Sequence, residues 1–156
     1  MLNEALSVVS WRSRPGSFVA LMSLYESNYL RLATLAGNLR QLDGMRLSRV
    51  PDDCDLRLSV TERSPYTTSL ELTYLFREAG AGKADEVTTY PDMRVRIYHD
   101  AHLVEAQEWV QEAGPHEALR RLRSVAEREL DQRWARNTML NKWLEYCIDR
   151  GHGFRA

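Results

Sequence analysis

The sequence predicts an α+β domain: a four-stranded antiparallel meander with an N-terminal helix and a C-terminal helix packed on one face. Three observations carry this. Apolar residues recur at three- and four-residue spacing from Ser17 to Leu39, the period drops to two in four later segments, and Glu117 to about Arg150 contains neither Gly nor Pro. Runs of helix flanking a run of alternating strands, with no helix between consecutive strands, favour an antiparallel sheet over a parallel one.

The first helix is expected from about residue 17 to 39, with Ser17 as N-cap and Phe18, Leu21, Met22, Tyr25, Tyr29, Leu32, Leu35, Ala36 and Leu39 on one stripe. Asn28 lies within that stripe, where an amide is costly to bury without hydrogen-bond partners, so it reads as a tie from the helix to a neighbouring loop. Residues 1–16 read as a flexible tail, because Arg12, Ser13, Pro15 and Gly16 break any pattern, which leaves 17–152 as a single domain.

Past Pro51-Asp-Asp-Cys54, Leu56, Leu58 and Val60 alternate with Arg57, Ser59 and Thr61, and a second strand follows the Ser64-Pro65 turn from Tyr66 to Phe76. Residues 78–91 have no periodicity and read as an exposed excursion. A third strand runs from Met93 to Tyr98 and a fourth from Leu103 to Val110, joined by His99-Asp-Ala-His102, a linker too short for a crossover. The last helix carries Leu130, Trp134, Leu140, Trp143, Leu144, Cys147 and Ile148 on its apolar stripe, with Asn137 and Asn141 at the edge, and stops at Gly151 and Gly153.

Composition narrows the function classes. With 156 residues, 44% hydrophobic and 28% charged, the chain is the size of one ordinary domain. Lys plus Arg (21) nearly balance Asp plus Glu (22), which disfavours a dedicated nucleic-acid binder, since such proteins need an excess of cations against phosphate. Cys54 and Cys147 are distant and belong to no ligand cluster, the N-terminus lacks the pattern of a secretory signal, and no run approaches the roughly 20 apolar residues of a membrane span. A cytoplasmic protein without a cofactor is the expectation.

No complete catalytic motif is present. Gly80-Ala-Gly-Lys83 falls short of a phosphate-binding loop, because Arg77 stands where the first glycine belongs and Ala84 replaces the magnesium-ligating hydroxyl. His99, Asp100, His102 and Glu105 are metal-ligand types at poor spacing, since His99 and His102 point to opposite faces along a strand, so the knot reads as a turn in which Asp100 accepts backbone hydrogen bonds. Neither a metal nor a catalytic residue is assigned.

Glu62-Arg-Ser-Pro-Tyr-Thr-Thr68, Val95-Arg-Ile-Tyr-His-Asp-Ala101 and Asn141-Lys-Trp-Leu-Glu-Tyr-Cys147, with Tyr25-Glu-Ser-Asn-Tyr-Leu-Arg-Leu32 and Leu130-x-Gln-Arg133, together resemble the YqiB-like proteins of Gram-negative bacteria, the domain-of-unknown-function family DUF1249. The resemblance covers roughly residues 20–152 and departs at 79–86 and 117–128, which look lengthened. It implies a cytoplasmic bacterial protein of unassigned function and carries over no catalytic residues.

The strongest candidate for a site is the solvent face of the sheet. Strand parity puts Arg57, Ser59, Thr61 and Arg63 outward, then Thr67, Ser69, Glu71 and Thr73, then Arg94, Arg96 and Tyr98. Arg57, Arg94, Arg96, Tyr98 and, at the strand end, His99 are candidate anion or ligand contacts, because guanidinium forks bind carboxylate and phosphate in bidentate fashion. On a solvated surface the same residues would simply pair across strands, with Glu71 against the arginines. The sequence favours a non-enzymatic module that binds a partner protein or small anionic ligand. The alternative is a small hydrolase of phosphorylated compounds, with Arg94 and Arg96 gripping the anion and His99 or Asp100 as acid/base.

Overall fold

The computed structural model describes residues 17–78, 86–110 and 115–154, with side chains described except at 76–78, 86–91, 109–110 and 115–130. Helix α1 spans Phe18–Ala36 and a 3-10 turn spans Leu39–Gln41. Strands β1 (Met45–Ser48), β2 (Asp55–Arg63), β3 (Thr67–Glu78), β4 (Glu86–Tyr98) and β5 (Leu103–Val110) follow, and helix α2 covers Pro115–Asp149. The sequence is α+β with an antiparallel sheet in sequential order β1-β2-β3-β4-β5. The sheet has five strands where periodicity predicts four.

The extra strand escapes a hydrophobic-pattern reading because its pattern is inverted. In Met45-Arg-Leu-Ser48 the apolar Met45 and Leu47 are exposed, while Ser48 is buried. A rule that points apolar residues inward rejects such a segment. The first helix also ends three residues earlier than its apolar stripe suggests. Gly37 takes φ 79°, and its N–H returns to the Ala33 carbonyl at 2.8 Å, so the helix closes there and Leu39 reaches the core from the 3-10 turn. At the other end Ser17 caps as expected, its Oγ accepting from the Ala20 N–H at 3.1 Å.

Residues 86–91, expected as part of an exposed excursion, belong to β4. Pro91 hides this in the sequence, since proline cannot donate to a ladder. The strand tolerates it at a bulge: Thr73 pairs with Asp92, but Leu75 pairs with Thr89, so β4 carries one extra residue there. The expected tail, residues 1–16, and residues 79–85 of the excursion lie outside the described residues.

The core has a main cluster and a smaller one of Leu21, Leu24 and Tyr25 beside Leu103 and Trp134. Leu56, Leu58, Leu70, Leu72, Met93, Val95, Ile97, Val104 and Ala106 from the sheet meet Leu32 and Leu35 of α1 and Leu140, Trp143, Leu144 and Cys147 of α2. Within β2 to β5 these core residues fall at alternate positions, which is what period-two alternation predicts. Tyr74 packs edge-on against Trp143, with ring centroids 5.2 Å apart.

Three amides cross the junction of α1, α2 and β5. Asn28, Asn137 and Asn141 are all fully buried. Asn137 accepts the Ala106 N–H at 2.7 Å and donates to the Ala106 carbonyl at 3.4 Å and the Arg133 carbonyl at 2.8 Å. Asn28 donates to the Val104 carbonyl at 3.2 Å and to Asn137 Oδ1 at 3.3 Å, and Asn141 donates to Asn28 Oδ1 at 3.1 Å and Ser27 Oγ at 2.9 Å. Since β5 is an edge strand, these side chains satisfy backbone groups that no sixth strand can reach. Asn28 thus ties its helix to a strand and to α2, where the sequence suggested a loop.

Among the described residues no helix is long and apolar enough to cross a membrane.

Candidate functional site

The outer sheet face is laid out by strand register. Met45, Ser59, Glu71, Arg94 and Glu108 form one cross-strand row, and Glu62, Ser69, Arg96 and Glu105 form the next. A bulge at Thr61 in β2 and another at Gln107 in β5 flank these rows. Bulges re-aim side chains, and here both belong to the lining of a polar pocket of about 240 Å³ together with Glu62, Ser69, Glu71, Arg94 and Arg96.

The two arginines of the pocket differ in what they already hold. Arg94 stands between Glu108 at 3.3 Å and Glu71 at 3.9 Å, the cross-strand pairing a solvated surface would give. Arg96, half-buried, reaches the Ser69 hydroxyl from Nε at 3.4 Å, and no carboxylate lies within ion-pair distance of it among the described residues. Its cross-strand neighbour Glu105 is turned elsewhere, accepting the hydroxyls of Tyr25 at 3.0 Å and Tyr98 at 3.1 Å. Arg96 therefore presents donors to the pocket with its charge unneutralised at close range.

The five candidate residues divide. Arg94 and Arg96 line one pocket, and Tyr98 instead lines a separate apolar cleft beside α1. Arg57 sits two cross-strand rows from Arg96, between Leu47 and Thr73, and does not join the pocket. His99 is on the opposite side of the strand, with the core residues. It is 3% exposed and hydrogen-bonded through Nε2 to Thr68 Oγ1 at 2.8 Å. Burial, with the nearby Arg40 guanidinium, pushes its pKa below the usual imidazole value, so the ring stays neutral. The outer face is also less open than strand parity implies, since Thr73 is fully buried and donates to Asp92 at 3.0 Å.

His99-Asp-Ala-His102 is a turn. His102 adopts φ 55°, a left-handed conformation that His tolerates better than most side chains, and the His99 N–H is held by the Tyr66 carbonyl at 2.9 Å. Asp100 pairs with Arg40 at 2.8 Å on the surface, where the sequence suggested a backbone acceptor. Among the described residues no group of three or more His, Cys, Asp or Glu is placed to hold a metal ion.

A second polar constellation is invisible in the sequence. Ser48 Oγ lies 2.9 Å from His152 Nδ1, and His152 Nε2 lies 3.0 Å from Asp53 Oδ2, which also accepts the Tyr74 hydroxyl at 3.0 Å. The order Ser-His-Asp is that of a nucleophile, a base and its orienting acid. The surroundings argue for a clasp. Ser48 and His152 are buried, and Ser48 Oγ already accepts the Gly153 N–H at 3.0 Å. Phe154 is pinned as well, its N–H to the Leu35 carbonyl at 2.8 Å and its carbonyl to Arg46 at 3.0 Å. Cys147, 3.3 Å from the Tyr74 hydroxyl, has its pKa pushed up to about 12 by burial and remains a thiol at neutral pH. Neither cleft described above is lined by any of these groups.

Residues 31–153 match the model of the family described as "Protein of unknown function (DUF1249)". The chain belongs to this family. No curated protein and no solved structure matches it. The family match includes the polar pocket and the Ser48–His152–Asp53 clasp, and it begins beyond Phe18, Leu21, Met22 and Tyr25, the α1 residues of the apolar cleft. Of the pocket, strand parity places Thr61, Ser69, Glu71, Arg94 and Arg96 on the outer face. Gln107 and Glu62 enter through bulges, for which the sequence carries no signal. Ser48, Asp53 and His152 are brought together by closure of the chain over about a hundred residues, and no spacing rule reaches that far.

Proposed function

We propose that this DUF1249 chain is a non-enzymatic bacterial cytoplasmic module that binds a small ligand through an anionic group held by Arg96 and Ser69 on the outer face of the sheet. The supporting observation is Arg96 itself, a half-buried guanidinium in a polar pocket with a hydroxyl as its hydrogen-bond partner and no carboxylate at ion-pair distance among the described residues. Glu62 and Glu71 on the same rim disfavour a multiply charged anion and favour a ligand that also presents hydrogen-bond donors, such as a carboxylate beside an ammonium or hydroxyl group.

The hydrolase alternative draws no support from the same geometry. Its acid/base candidate His99 is buried on the other side of the sheet, and Asp100 is engaged by Arg40. General acid–base chemistry requires hydrogen-bond reach to the reacting group.

Calorimetric titration with a panel of carboxylated and phosphorylated metabolites tests the proposal. The parent should bind at least one of them, Arg96→Ala should weaken that binding about ten- to hundredfold with the fold unchanged, and Arg57→Ala should leave it within about twofold. Absence of binding by the parent, or equal affinity across all three proteins, removes the reading.

A further inference from the structure

The second cleft, about 320 Å³, lies between the start of α1 and the β4–β5 end of the sheet. Phe18, Leu21, Met22 and Leu103 make most of its wall apolar, and Phe18 is 67% exposed at its mouth. Two charged side chains, Glu105 and Arg133, interrupt that wall. Glu105, half-buried, is fixed there by two phenols, Tyr25 donating to Oε2 at 3.0 Å and Tyr98 donating to Oε1 at 3.1 Å.

That arrangement has a directional consequence. Each tyrosine has a single O–H, and both are spent on the carboxylate. Burial, reinforced by the Glu105 charge, raises the pKa of both phenols, so they remain donors to Glu105 across the physiological range. What this group can still offer a ligand is acceptor lone pairs, on the two carboxylate oxygens of Glu105 and the phenol oxygen of Tyr25, beside the aromatic and aliphatic wall. A pre-oriented carboxylate with spare acceptor capacity at the end of an apolar cleft suits a hydrogen-bond donor bearing positive charge on an apolar body. Arg133, which lines the cleft, with Arg136 near Tyr25 and Arg96 near Tyr98, sets the competing preference, for a carboxylate.

The geometry points to this cleft as a binding site for a small primary amine with an apolar body, its ammonium taken by Glu105 between Tyr25 and Tyr98 and its body laid against Phe18, Leu21, Met22 and Leu103. The two clefts share no lining residue, although the Arg96 guanidinium of the polar pocket lies close to the Tyr98 phenol of this one.

Three probes with the same tail distinguish the possibilities: hexylammonium, hexanol and hexanoate, titrated into the full-length chain by calorimetry or ligand-observed NMR. Hexylammonium should bind saturably and about tenfold or more tighter than hexanol, with hexanoate weakest, the margin expected when one partner of a hydrogen bond gains charge. Glu105→Gln keeps the side-chain shape and should abolish the margin between hexylammonium and hexanol. Phe18→Ala, at an exposed position, should weaken all bound probes by a similar factor. Saturable binding of none of the three, hexanol matching hexylammonium, or hexanoate binding tightest through Arg133 would each overturn the inference. The comparison on the parent decides the matter even where Glu105→Gln lowers stability.

Discussion

Asn137 shows how a single side chain can substitute for a missing strand. Its amide offers one acceptor and one donor group to the N–H and carbonyl of Ala106 on the free edge of β5, and a second N–H goes to the Arg133 carbonyl within its own helix. Truncation leaves the buried Ala106 groups and Asn28 short of partners, so Asn137→Ala should destabilise the fold by about 2–3 kcal/mol in denaturant titration. A cost below about 0.5 kcal/mol would mean that water replaces the amide there. The sequence disclosed only part of this: Asn28 on an apolar stripe signals a need for partners, but Asn137 and Asn141 looked like interruptions because the strand edge they serve is a tertiary feature. His99 gives a pH test at the same scale. Its folded-state pKa lies below the ordinary value of 6.5, so the unfolded chain binds the proton more readily. The neutral ring's contribution is complete above about pH 6.5 and is lost as pH falls below it. Measured between pH 7.5 and pH 5.5, roughly the span of imidazole titration, unfolding free energy should fall for the parent and fall less for His99→Gln; a parallel decline would place the acid sensitivity elsewhere.

At the scale of elements, periodicity succeeded wherever one face of an element meets the core. The alternation of Leu56, Leu58 and Val60, then of Leu70, Leu72 and Tyr74, located β2 and β3, and Trp143, Leu144 and Cys147 located the buried stripe of α2. Replacing Trp143 with Ala should cost about 3 kcal/mol or more, because the indole is 4% exposed and its loss opens a cavity against Tyr74. A negligible effect on thermal unfolding would require the sheet and helix to close over the gap. Periodicity failed for two physical reasons. β1 buries its polar residue Ser48 against His152 and exposes its apolar ones, and the first half of β4 is disguised by Pro91, which only a bulge accommodates. The end of α1 illustrates the same limit, because the apolar stripe continues to Leu39 while Gly37 turns the backbone.

For the molecule as a whole, sequential order of the strands makes the outer face a direct map of the sequence, and strand parity alone therefore placed Arg94 and Arg96 together. It could not separate the arginine neutralised by Glu71 and Glu108 from the one left with a hydroxyl, since that depends on register and on where Glu105 turns. Nor could it reveal that His99 and Tyr98, adjacent in sequence, serve opposite sides of the sheet. The proposed ligand contact is the pair Arg96 and Ser69. Amide NMR of the full-length chain, titrated with the metabolite panel, tests it most directly. Saturable shift changes should concentrate at Ser69, Arg94, Arg96 and the bulged Gln107, and should disappear in Arg96→Ala. Saturable changes centred on Ser48, Asp53 and His152 instead, with the Arg96 region unmoved, would contradict it and turn the clasp into the site.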